Sequence, residues 1–100
     1  MKVRWAPLAE QRAAEAFTQI ATDQPAAALR WLERLLRNVG QLQDFPDRGR
    51  MVPEIARPEI REVIVAPYRV VYRRDPARVL VLTVRHSRRS LDPREIVGEV

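Results

Sequence analysis

The segment VRHSRR at 84–89 sets the chain's only histidine, His86, among Arg85, Arg88 and Arg89. Histidine exchanges a proton near neutral pH and can act as general acid or base, while arginines hold phosphate or carboxylate through paired N–H donors. Such a knot can therefore move protons in a reaction. Equally, it can be a basic strand end that binds anions, with His86 a hydrogen-bonded structural residue. Nothing about a strand end requires three bases to crowd there, so the cluster asks for a function. The chain has no cysteine and one histidine, which leaves no zinc ligand set, and its three scattered glycines form no phosphate-cradling loop. No metal and no cofactor are expected.

The elements that position this knot can be read from spacing. KVRW is a short β-capable run, and Pro7 suits the first position of a helix, where its missing N–H costs nothing. Ala9, Ala13, Ala16, Phe17 and Ile20 follow at helical spacing, and the helix should stop near Thr22–Asp23. Pro25 restarts the pattern, with Asp23 or Gln24 as cap. Ala28, Leu32, Leu35, Val39 and Leu42 form its stripe, broadened by Leu29, Trp31 and Leu36. So short a join predicts an antiparallel helical hairpin. Asp47–Arg50 is turn chemistry in which Gly49 can take positive φ, and 51–59, with prolines at 53 and 58, reads as irregular. Ile60 to Ala66, Tyr68 to Arg74 and Arg78 to His86 read as three strands of an antiparallel meander. Asp92 and Pro93 then start a short helix with Glu95 near its positive end. The predicted fold class is α+β: a short N-terminal strand and a helical hairpin packed on an antiparallel sheet of three to four strands, in one domain over 1–100.

A one-residue slip exchanges the two faces of a strand, so the loop of the last hairpin decides where the arginines point. A four-residue DPAR loop would mix Arg69 and Arg73 with Leu80 and Leu82. A five-residue RDPAR loop groups Tyr68, Val70 and Tyr72 with Leu80, Leu82 and Val84 against the helices. It is preferred because it leaves Arg69, Arg73 and Arg85, joined by Arg61, on an open basic face. Charged side chains there would at the least keep the sheet soluble and its edges unpaired.

The string FPDRGRMVPE, the strand openings IREVIVAPYRVVYR and the ending VLTVRHSRR, in this order and over nearly the whole chain, resemble the RelE/ParE superfamily of bacterial toxin–antitoxin toxins. The resemblance implies one of two activities. RelE-like members are ribosome-dependent ribonucleases that cut mRNA; for such chemistry the chain offers His86 as acid or base and Arg61, Arg69 and Arg85 as phosphate clamps. No aromatic residue follows His86, however, and RelE-like proteins often carry a catalytic tyrosine there. ParE-like members inhibit DNA gyrase by binding. The arginine-rich ending without tyrosine and the connector VPE to PEIRE look more like this branch, which makes Arg61, Arg69, Arg85, Arg88 and Arg89 the expected target-binding residues. The resemblance also implies a cognate antitoxin, acidic and flexible, in a hetero-oligomer with the toxin. A net charge of +5 suits such a partner, and Trp5, Trp31 and Phe17 are candidates for an apolar groove that receives it, at least two of them being expected in the core.

A basic nucleic-acid-binding module is the third reading; against it, Tyr68 and Tyr72 fall on the core face, where no base can stack on them. The first residues, MKVRWAPLAEQR, contain no apolar leader, and no run approaches the roughly 20 apolar residues that span a bilayer. A cytoplasmic protein without membrane contact is expected.

Overall fold

A computed structural model describes residues 1–97. The chain forms β1 (Lys2–Trp5), α1 (Pro7–Asp23), α2 (Pro25–Gly40), a 3-10 turn at Gln41–Gln43, β2 (Arg50–Met51), β3 (Ile60–Val65), β4 (Tyr68–Arg74), β5 (Arg78–His86) and α3 (Arg94–Val97). Both long helices open on proline at their first turn, and Gln24 alone joins them. Its N–H closes α1 on the Ile20 carbonyl at 3.0 Å while its own carbonyl opens α2 by accepting from Ala28 at 3.1 Å. One residue thus ends one helix and begins the next, which forces the hairpin.

The sheet has the order β1-β5-β4-β3-β2. It holds five strands, more than the three to four expected, because Arg50–Met51 pairs antiparallel with β3 and β1 pairs parallel with Arg78–Val81 of β5. The helical hairpin covers one face. Ala9 and Ala16 of α1, with Trp31, Leu35 and Val39 of α2, pack on Val63, Val65, Tyr68, Val70, Tyr72, Val79, Val81 and Val84. The stripe of α2 is narrower than its leucines suggest: Leu29 and Leu36 are 57% and 55% exposed, and Trp31 takes the centre of the buried face.

The β4–β5 hairpin corrects the expected register. Arg74 pairs with Val79 and Arg73 with Leu80, so the connection is the four-residue one that composition alone argued against. A β-bulge resolves the conflict. Tyr72 pairs with Val81 but Val71 pairs with Thr83, and the unpaired Leu82 absorbs the extra residue. Val79 and Val81 therefore join Tyr68, Val70, Tyr72 and Val84 beneath the helices, while Leu82 turns to the other side.

That other side is not open. Val52, Ile60, Val71, Leu82, Leu91 and Ile96 form a second, smaller core, with Leu80 partly buried against it. The chain after β5 folds back across the outer face and contributes Leu91 and Ile96 to it.

Gly49 is needed for closeness, with no positive φ. A Cβ at this position would lie 2.6 Å from the Glu62 carbonyl oxygen and 2.7 Å from the Tyr72 hydroxyl. The fully buried Tyr72 hydroxyl accepts from the Gly49 N–H at 3.0 Å and donates to the Pro46 carbonyl at 2.7 Å, which fixes the turn to the sheet. The one positive φ outside glycine among the described residues is at Ala56, 54°.

Candidate functional site

The knot at the end of β5 lies beside α1. A cleft of about 190 Å³ runs between them, lined by Arg12, Glu15 and Gln19 of α1 and by Tyr68, Arg85, His86 and Arg89 from the sheet and its continuation. β1 stops opposite Val81, so it leaves this end of β5 uncovered. The His86 ring meets Tyr68 edge-on with centroids 5.3 Å apart, and Tyr68 in turn packs on Trp31 at 5.4 Å. His86 accepts the Arg88 backbone N–H on Nδ1 at 3.2 Å. Tyr68 is buried, which raises its phenol above the usual tyrosine value, with the nearby Arg89 charge opposing.

Two charge clusters hold the walls. Glu95 accepts from Arg12 Nε at 3.1 Å and from Arg85 at 3.2 Å, with Thr83 Oγ1 at 3.4 Å. Its carboxylate serves as a clamp between α1 and β5, a role that its place at a helix start did not suggest. The second cluster sits on the outer face. Arg69 donates to Glu54 at 2.5 and 3.1 Å, to Glu62 at 3.1 Å and to the Arg89 carbonyl at 2.9 Å. Glu62 also accepts from Arg50 Nε at 2.7 Å, and the Leu91 N–H reaches Glu54 at 2.9 Å. The Arg69 guanidinium, helped by that N–H and opposed by partial burial, lowers Glu54 to about 2, while Glu54 raises the Arg69 pKa.

These contacts sort the residues singled out in the sequence. Arg69 is buried and consumed by two carboxylates, so it is a structural cation that ties the C-terminal segment to the sheet, and it presents nothing to a partner. Arg61 pairs with Tyr72, on the helix-side face away from Arg69 and Arg85, and donates to the Gly49 carbonyl at 2.9 Å. Arg85 is half-buried and bound to Glu95, and its Nε, like that of Arg61 and Arg69, has no hydrogen-bond partner. Arg88 and Arg89 are exposed. Trp31 is core, 1% exposed, with its Nε1–H on the Val65 carbonyl at 3.0 Å, so it forms no part of a surface groove. Trp5 and Phe17 are half-buried against the same core.

Arg12, Glu15 and Gln19 escaped the sequence reading, because on a helix nothing in their spacing distinguishes a cleft wall from a solvated face. Among the described residues no group of three or more His, Cys, Asp or Glu is placed to hold a metal, and no helix is long and apolar enough to cross a membrane.

Comparison with known proteins agrees with this architecture. A search of the curated proteins finds no match. Among solved structures, one titled "Chromosomal ParDE TA system from P. aeruginosa" superposes with a TM-score of 0.71 over 86% of this chain and 95% of that one. At 18% identity the likeness is one of fold. The family model described as the ParE toxin of the type II toxin–antitoxin system parDE matches residues 3–91, from β1 through the bulged hairpin and the cleft to Leu91. The chain therefore belongs to the ParE toxin family of type II toxin–antitoxin systems.

Proposed function

We propose that the protein is a toxin that inhibits DNA gyrase by stoichiometric binding, in the cytoplasm, and is neutralised in a hetero-oligomer with a cognate antitoxin. The observation that carries this reading is the divergence of the arginines a nuclease would need. Phosphoryl chemistry requires cations converging on one phosphate. Here Arg69 is occupied on the outer face, Arg61 lies on the helix-side face against Gly49, and of these three only Arg85 lines the cleft. The exposed end of the chain's basic knot, Arg88 and Arg89, is left as a binding surface, with Arg85 at its border. Ribosome-dependent mRNA cleavage has one observation in its favour, the contact of His86 with Tyr68 in a cleft that also holds Arg85 and Arg89. Burial of Tyr68, and the bond from Arg88 N to His86 Nδ1, count against it. A nucleic-acid platform is disfavoured by the burial of both sheet tyrosines, Tyr68 and Tyr72.

The test is a gyrase supercoiling assay on purified protein beside a ribosome-dependent RNA cleavage assay on the same preparation. Inhibited supercoiling with intact RNA is expected. Cut RNA with normal supercoiling, abolished by His86→Ala, would replace this reading with the nuclease one.

A further inference from the structure

We propose that the cleft between α1 and the end of β5 is the seat of carboxylate side chains from an acidic segment of the antitoxin, so that neutralisation covers Arg85 and Arg89 directly. The inference rests on the antitoxin belonging to the toxin reading above and names where and by what chemistry that partner is held. Two of the cleft's cations already hold carboxylates. Glu95, outside the cleft lining, bridges Arg12 and Arg85 at 3.1 and 3.2 Å, and Glu15 in the lining takes Arg12 Nη1 at 3.0 Å, so Arg12 is spent on two carboxylates while Arg85 keeps donors to spare. Among the described residues the Arg85 side chain donates to Glu95 alone, with part of it still exposed, and Arg89 lines the cleft exposed with no carboxylate on its side chain. An incoming carboxylate would find one cation without a counterion and one half satisfied.

Size and surface select among anions. At about 190 Å³ the cleft is smaller than the roughly 300 Å³ at which small-molecule sites begin, yet it admits one or two side chains. A single-stranded nucleic acid would need exposed rings on which to stack its bases, and Tyr68 in the cleft wall is buried. The apolar floor of Ala16 and Val84 beneath charged walls suits a peptide that alternates acidic and apolar residues.

The experiment titrates purified protein with a short synthetic peptide alternating glutamate and valine, its glutamine counterpart, and a single-stranded oligonucleotide of equal charge. The glutamate peptide is expected to bind and the glutamine peptide not to bind. Arg89→Ala should weaken binding about tenfold, the loss of one charge-assisted pair, and Arg12→Gln should also weaken it. A double variant of the exposed α2 arginines, Arg30→Ala with Arg37→Ala, lowers the net charge more and should leave binding unchanged. Thermal unfolding of each variant checks the fold; Arg89, exposed and unpaired, is the one whose loss the fold tolerates. Equal loss in the α2 variant, tighter binding of the oligonucleotide, or no effect of Arg89→Ala would overturn the proposal. The supercoiling assay separates the two readings. If the peptide binds through Arg89 while the protein leaves gyrase active, the cleft stands and the gyrase reading falls. If gyrase is inhibited but the peptide fails to bind, the cleft falls alone.

Discussion

Replacing Arg69 by methionine removes the cation at the centre of the outer-face cluster while keeping much of its apolar stem. The wild-type side chain is 6% exposed and its partner Glu62 0%. The substitution leaves Glu62 Oε1 and the Arg89 carbonyl without a donor and deprives Glu54 of its main partner. Removing one member of a buried ion pair costs about 3–5 kcal/mol. Arg50 still holds the far oxygen of Glu62 at 2.7 Å, and Glu54 reaches water, so the loss should fall at the lower end, about 3 kcal/mol. In a domain of this size that corresponds to a drop in Tm of roughly 12–24 °C. Urea unfolding followed by tryptophan fluorescence, with the core residue Trp31 as reporter, measures it directly, and the slope with denaturant should stay constant. Glu62→Gln should also destabilise, but the double variant should lose clearly less than the sum of the singles, because either change alone orphans the other residue. A loss below about 1 kcal/mol, the range of exposed pairs, or strict additivity, would show that the cluster is solvated and that Arg69 is not the tie described.

Glu54 titrates at about 2 against an ordinary 4.5, so its contribution to stability is complete above about pH 4.5 and disappears as pH falls towards 2. Its solvent exposure reduces the nominal gap to about 1 kcal/mol, and acid unfolding curves of wild type and Glu54→Gln should converge across that window. Gly49→Ala should cost about 1–3 kcal/mol, read as a lower urea midpoint, since a backbone carbonyl 2.6 Å away cannot retreat as a side chain would. The double variant Arg88→Ala, Arg89→Ala, both exposed, should keep its stability within about 0.5 kcal/mol while losing growth inhibition on induced expression; full toxicity would remove the strand end from the target surface.

The elements were legible where local chemistry is strong. Pro7 and Pro25 mark both helix starts, and Tyr68–Arg74 and Arg78–His86 have the bounds their composition suggests. Register was not legible, because a bulge at Leu82 is a tertiary compromise: the tight DPAR turn and the separation of apolar from charged side chains cannot both hold in a regular ladder. The same limit hid the site. The arginine-bearing face was inferred without the C-terminal segment that covers it. Glu54, Glu62 and Glu95, the carboxylates that decide which arginines are spent, lie 15, 7 and 10 residues from Arg69, Arg69 and Arg85 respectively. Only Arg88 and Arg89 kept the exposure the sequence implied.

The parallel pairing of β1 with Arg78–Val81 also governs when this protein exists at all. Translation delivers the N-terminal strand and the helical hairpin first, yet the strand that pairs β1 and lies under α1 comes among the last quarter of the chain, and a contact this distant in sequence forms late. A nascent or prematurely terminated chain ending before residue 78 lacks Val79, Val81 and Val84 beneath the helices and has neither the cleft nor the basic knot. The cleft and the basic knot are therefore assembled only once synthesis has passed the end of β5 and reached Arg89.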